Sequence, residues 1–568
     1  MSKYAILHKK ELMDVKMRFI RLTALLLAAM LTLSGCSRAL LELAREELDG
    51  YLDTVTEPAT DERPTVPTEE GELTFSQMEY VRPDMEKLEQ ALAEACRLAE
   101  GTDLDAIMDG IWAFYDEFDW FYTCYSLSDI RYCQDVTDPY WEEEYYFCDS
   151  NSARVDAALE ELYYALAASP CREELEGDDY FGEGYFDAYD GENNWDEDFT
   201  ALLQRESELV SSYYSLCAEA SELPEGSDAY YDAYGEPLTQ VLIGLVEVRR
   251  EMAAYWGYDS YAEFAWDFYY YRDYTPDEMD RYLDAVRREL VPIYEDLART
   301  DVWDYSYSRT GERQIYDYVR TAAEAMGGPV WEAFQVMERR ELCDIRYSEN
   351  KYGISFEVYL TSFQVPFVFL DPNLENYDKL TFAHEFGHFC NDYHSFGSSA
   401  GVDVLEIFSQ GMEYLSLCYG ADTEELARGK LADSLSTYVE QAAFAAFEHR
   451  LYELEAPTVE EVYDLYEEVV VDFGFRSVGY DPREFITIPH FFTNPMYIDS
   501  YVVSNDAAMQ LYQLELETPG EGLRCYEEHL DTEEVWFLSF LDTAGLESPF
   551  APGRLETVRD LFREGLFG

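Results

Sequence analysis

One nine-residue stretch, Thr381-Phe382-Ala383-His384-Glu385-Phe386-Gly387-His388-Phe389, constrains this chain more than any other. Residues four apart lie on one face of a helix, so His384 and His388 aim their imidazoles at one point. Two such nitrogens from a rigid helix are half of a tetrahedral zinc site. Glu385 falls beside the open position, where a carboxylate can take a proton from a water that the metal activates. The chain has only seven histidines, and chance placement would give on the order of 0.01 His-Glu-x-x-His motifs in it. The bland reading is a buried helix with two satisfied core histidines, and the context weighs against it. The run Val365-Pro366-Phe367-Val368-Phe369-Leu370 reads as a strand, Asp371-Pro372-Asn373 as a turn and Asp378 as the N-cap of the motif helix.

A zinc site of this kind needs a third protein ligand. The next helical pattern, residues 402–414, sets Leu405, Phe408, Met412 and Leu415 on an apolar stripe. Glu406, Ser409 and Glu413 fall on the adjacent face. Glu406 and Glu413 stand about 10 Å apart along the axis, so a straight helix cannot bring both to one ion. The Gly/Ser-rich loop 396–401 can fold the start of this helix back onto the motif helix, which selects Glu406. Glu413 then lies behind the ligands or in solvent.

The motif His-Glu-Phe-Gly-His, followed by Leu405-Glu406-Ile407-Phe408-Ser409-Gln410-Gly411-Met412-Glu413, resembles the thimet oligopeptidase and oligoendopeptidase F family of zinc metallopeptidases. The resemblance implies His384, His388 and Glu406 as zinc ligands and Glu385 as general base and acid. It extends to Pro489-His490-Phe491 and the tyrosines after it, where the family has a histidine and one or two tyrosines facing the metal. His490 and Tyr501 take that role here, with Tyr497 as the alternative, because Asn494-Pro495 shifts the spacing by one residue. A phenol O–H or an imidazolium N–H aimed at a developing oxyanion stabilises the transition state more than the ground state. The loop from His388 to Glu406 is shorter than is usual in the family. The expected fold is mainly α: a two-lobed, predominantly helical zinc peptidase with a small β element bordering a deep central cleft. Such a cleft restricts substrates to short unstructured peptides. The run Val365–Leu370, or the strand-like Tyr352–Leu360, is expected to pair with an extended substrate or to be purely structural.

The N-terminus reads as an export signal. Lys16 to Arg21 is basic, and Leu22 to Leu33 is apolar but too short to span a bilayer comfortably. Leu33-Ser34-Gly35-Cys36 resembles a bacterial lipobox, with Cys36 as the lipidated first mature residue; an ordinary cleaved signal is the alternative. A lipid anchor would hold the protein at the outer face of the cell membrane. Met17 is an alternative start to Met1, since the sixteen residues before it add nothing that a signal peptide needs.

With 568 residues, 48% of them hydrophobic, the chain can build a large core despite a net charge of -78. No basic stripe exists to neutralise phosphates, which argues against nucleic acid as a partner. The excess acid is mainly a solvated surface, although carboxylates around a cleft would also draw cationic peptides. Ten cysteines follow Cys36 without metal-binding spacing; Cys124, Cys133 and Cys148 could pair, or remain buried thiols.

Residues 1–36 are therefore assigned to the signal, 37–72 to an acidic Pro/Thr/Glu tether, 73–225 to an N-terminal helical lobe, 226–345 to a helical middle region and 346–568 to the zinc-binding lobe. Helical patterns run from Pro83 to Gly101 and through Leu104–Tyr125, Ser152–Ala168, Leu202–Ala218, Gln240–Trp256 and Pro276–Arg299, with 177–194 as a loop. His394 is expected on the loop after the motif helix, and His449 and His529 in solvent. A carboxypeptidase on the same fold would need a basic residue for the substrate's terminal carboxylate, and none is identifiable. A lipoprotein that only captured peptides would have little need of Glu385.

Overall fold

The computed structural model describes residues 73–568 apart from 178–179, 183, 190–196, 221–222, 225, 301, 303–304, 399 and 422. The signal, Cys36 and the tether lie outside the described residues. The chain forms two compact units: 73–197 with 333–371 and 392–399, and 198–332 with 372–391 and 400–568.

The first unit is built on α1 (Met85–Ala99), α2 (Leu104–Gln134) and α3 (Pro139–Ala167). Each begins at an aspartate, Asp84, Asp103 or Asp138, whose carboxylate accepts an N–H of the first turn. Pro83 thus precedes the cap of α1 rather than lying in its first turn. Ile107, Ile111, Phe114, Phe118 and Phe121 recur at helical spacing along α2 and pack with Leu88 and Leu92 of α1 and Val155, Leu159 and Leu162 of α3. The described part of 177–194 forms turns and tucks Phe181 and Phe186 into this core.

The same unit holds a sheet of β1 (Cys343–Asp344), β2 (Phe356–Leu360) and β3 (Val365–Phe369) in the order β1-β3-β2. The β3 strand is buried along its length, antiparallel to β2 and parallel to β1 at Val368 and Phe369. Flanked on both sides there, β3 has no edge to lend a substrate over those residues. Of the two candidate runs, β2 is the strand paired on one side only.

The second unit is helical. Its elements include α4 (Asp228–Trp256), α5 (Pro276–Glu289), α6 (Asp378–Ser395), α7 (Val402–Tyr419), α8 (Glu424–Glu453) and α9 (Ile498–Glu517). Most of α9 is buried, and it lies along α7 and α8. Asp378 is the first residue of α6 rather than its cap, and its carboxylate accepts the N–H groups of Asn373 and Glu375. Among the described residues no helix is long and apolar enough to cross a membrane, and no disulfide joins any of the ten cysteines.

Candidate metal centre

The helix α6 carries His384, Glu385 and His388, and α7 carries Glu406 and Glu413. What lets the two helices meet is Gly387. A Cβ there would stand 2.5 Å from the Phe408 carbonyl oxygen and 2.6 Å from Ser409 Cα, closer than atoms pack, so only glycine permits this crossing. The Tyr526 hydroxyl joins the pair, donating to the Phe408 carbonyl at 3.2 Å and lying 3.5 Å from that of Gly387.

At the crossing, Glu406 Oε2 lies 3.6 Å from His384 Nε2 and 4.0 Å from His388 Nε2. Ligands of a tetrahedral zinc at its usual bond lengths are about 3.3 Å apart. The three groups thus need only a small closure to hold such an ion, and they are the one His/Glu cluster of that geometry among the described residues. Ser409, one turn after Glu406, donates its hydroxyl to Oε2 at 2.9 Å and fixes the carboxylate.

The sequence left Glu413 between two roles. It is buried, with Oε1 2.9 Å from His384 Nδ1 and Oε2 2.9 Å from Lys430 Nζ. Its carboxylate accepts Nδ1–H, which turns Nε2 toward Glu406 as the nitrogen a metal would use. Burial works against charge on Glu413 and Lys430 alike, but their mutual attraction wins and keeps both ionised. Burial opposes charge on His384 too, and the Glu413 hydrogen bond and the surrounding carboxylates raise it to about 9. His388 has no such partner, and burial lowers it to about 4. Burial, aided by Glu406 and Glu413 against His384, raises Glu385 to about 7.

His490, Tyr497 and Tyr501 come together. Tyr501 Oη is 3.4 Å from His490 Nε2, and the Tyr497 ring lies 5.4 Å from that of His490 and 5.3 Å from that of Tyr501. Burial and then the Glu406 charge push Tyr501 to about 12 and Tyr497 higher still, so both phenols keep their protons. Burial lowers His490, so it acts as a neutral imidazole rather than an imidazolium. His394 sits in the last turn of α6, not on a loop. His449 is buried, not solvated, between Asp280 at 2.7 Å and Asp499 at 3.2 Å. His529 is half-buried with Nδ1 2.8 Å from the Cys525 carbonyl.

The Peptidase M3 N-terminal domain family matches residues 75–193. Residues 75–193 are thus similar to a Peptidase M3 N-terminal domain. Among solved structures, PZ peptidase A with an inhibitor shares 21% identity, covering 87% of this chain and 99% of that one at a TM-score of 0.69. A structure described as oligoendopeptidase F, from Bacillus anthracis, has 21% identity over 87% of this chain and 98% of that one, at a TM-score of 0.68. Another of the same description gives 21%, 87%, 98% and 0.69. These likenesses establish a shared fold, and with the M3 domain they bear out the oligoendopeptidase F resemblance seen in the motifs. No curated protein matches the chain by sequence. Both Lys430 and the Glu413 bond escaped the sequence reading. The available signal was that Lys430 is one of four lysines after residue 72, and sits in a helical pattern rather than a loop.

Proposed function

We propose that the chain is a zinc-dependent endopeptidase that hydrolyses short unstructured peptides. The carrying observation is the convergence of His384 Nε2, His388 Nε2 and Glu406 Oε2, with Glu413 fixing the tautomer of His384. A nitrogen–nitrogen–carboxylate set suits zinc, which when bound polarises a carbonyl and acidifies a coordinated water. Glu385, next to His384 on the motif helix, is placed to take a proton from the attacking water and return it to the leaving amine. Tyr501 and His490 donate to the carbonyl oxygen as negative charge builds there. Tyr497 backs this pair or replaces Tyr501 in it. The restriction to short peptides rests on the family resemblance. The lipobox-like Cys36 supports an anchor at the outer face of the cell membrane.

The test is metal analysis together with mass spectrometry of a peptide-library digest, with and without chelator. One zinc per chain and chelator-sensitive internal cuts are expected. Cleavage only near C-termini would replace the endopeptidase with a carboxypeptidase. No cleavage by the zinc-loaded protein would leave peptide capture.

A further inference from the structure

A second constellation lies behind the site, built around a charge the sequence did not single out. Arg272 has a fully buried guanidinium. Nη1 donates to the Met496 carbonyl at 2.8 Å and to Asp499 at 3.2 Å, and Nη2 donates to Ser500 Oγ at 2.8 Å. Nε faces Asp403 Oδ2 at 3.4 Å. Asp403 is one helical turn before Glu406 on α7. Met496, Asp499 and Ser500 are interleaved with Tyr497 and Tyr501. One planar cation thus spans the start of the helix that bears Glu406 and the segment that bears both phenols.

The backbone before Arg272 is shaped to deliver it. Trp266–Tyr270 is a π-helical turn, and Tyr271 follows at φ 50, a left-handed conformation costly for tyrosine. Local strain of this kind persists only where surrounding contacts repay it. Here Tyr270 donates its hydroxyl to the Pro495 carbonyl at 2.7 Å and lies against the guanidinium, while Tyr274 donates to Asp403 at 2.9 Å. A second buried arginine, Arg249 of α4, grips the other end of the same segment. It donates to the carbonyls of Phe491 at 3.1 Å and Phe492 at 2.5 Å, directly after His490. The run from His490 to Tyr501 is therefore held by guanidinium groups at both ends, and only Arg272 also reaches the Glu406 helix.

We infer that Arg272 is a positioning residue that sets the separation between the Glu406 helix and the phenol donors Tyr497 and Tyr501. Its catalytic consequence rests on the endopeptidase reading, but its structural consequence does not. Cutting this tie should let the donors drift, and a shift of about 1 Å at a reacting centre can cost about 100-fold in rate. The ligands His384 and His388 stand on a different helix and are untouched.

The test uses Arg272→Lys, which keeps the charge but not the fork, and the milder pair Tyr270→Phe with Ser500→Ala should the lysine variant fail to fold. Hydrogen exchange is followed at the amides of 490–501 and of α8, with zinc content, kcat and KM measured alongside. Faster exchange confined to 490–501 is expected, with zinc retained, kcat down by about 100-fold and KM little changed. In a double-mutant cycle the loss should not add to that of Tyr501→Phe. Unchanged exchange at 490–501 in a folded variant overturns the inference, as does a loss fully additive with Tyr501→Phe. If the wild-type protein proves to have no peptidase activity, the exchange result still decides the tie.

Discussion

His384 Nδ1 lies 2.9 Å from Glu413 Oε1, and the other oxygen of that carboxylate lies 2.9 Å from Lys430 Nζ. The imidazole is thus held by an acceptor that a buried cation keeps ionised. A glutamine at 413 would turn one end of its amide toward Lys430 as a second donor. Glu413→Gln is expected to weaken zinc binding by roughly 10- to 100-fold, read by competition with a chelating dye. Unchanged zinc affinity would mean that the bond does not orient the ring.

The division of labour on α6 is separable. Glu385→Gln removes the proton acceptor and leaves both imidazoles in place, so the zinc content should stay at one per chain. Turnover should fall by about 100- to 10,000-fold, the usual span of general acid–base catalysis. His384→Ala should lose metal and turnover together. Elemental analysis and initial rates on one internally quenched peptide separate the two, and full activity in Glu385→Gln would refute the assignment.

The two phenols are not equivalent. Tyr501 Oη is within 3.4 Å of His490 Nε2, so hydroxyl and imidazole form one donor pair, whereas Tyr497 meets His490 ring to ring. Tyr501→Phe is expected to lower kcat by about 100- to 1,000-fold with KM little changed, as for loss of an oxyanion donor. Tyr497→Phe should cost less. The reverse order in steady-state kinetics would exchange the roles.

The cluster of His384, His388 and Glu406 was legible because its information is local. His384 and His388 are one turn apart, and Glu406 was selected by helix length and a Gly/Ser-rich loop. A capping carboxylate beside free N–H groups is a one-turn interaction, as at Asp103 just before the expected start at Leu104, yet the helix that begins after Asp138 was read only from Ser152. What was not legible joins residues far apart in sequence. Arg272 reaches Asp403 and Asp499, and His449 reaches Asp280. In so acidic a chain, an arginine or histidine amid helical polar residues looks solvated, and only packing reveals it as buried. The edges of the sheet were hidden for the same reason, since the two-residue β1 carries no pattern of its own.

The helix crossing offers a test of shape rather than charge. In Gly387→Ala the new methyl would meet the Phe408 carbonyl and Ser409 Cα. These are backbone atoms of α7, so relief requires the helix to move. Overpacking of this kind typically costs about 1–3 kcal/mol, and here it should also carry Glu406 away from the imidazoles. Chemical denaturation of the metal-free protein and zinc titration should both register the change. A variant destabilised yet binding zinc as tightly as wild type would show that α7 tilts without displacing Glu406.

His449 predicts how stability depends on pH. It is enclosed by Asp280 of α5 and Asp499 of α9, with Arg272 on the far side of Asp499, Glu448 adjacent on α8 and the Trp266 ring 6.0 Å away. Burial opposes its charge, but Asp499 and Asp280 outweigh this and raise it from 6.5 to about 10. A raised folded value means stability that is full below the unfolded value and lost as pH climbs through the folded one. Glu448, raised from 4.5 to about 8 by burial and then Asp499, acts in the same direction at lower pH. The wild-type protein should therefore lose stability steadily between pH 6.5 and 10. His449→Gln should be less stable at neutral pH and show a shallower decline, because one of the protons responsible is gone. Urea unfolding at three pH values across that window measures both slopes. Parallel slopes would mean that His449 is held neutral between its two aspartates.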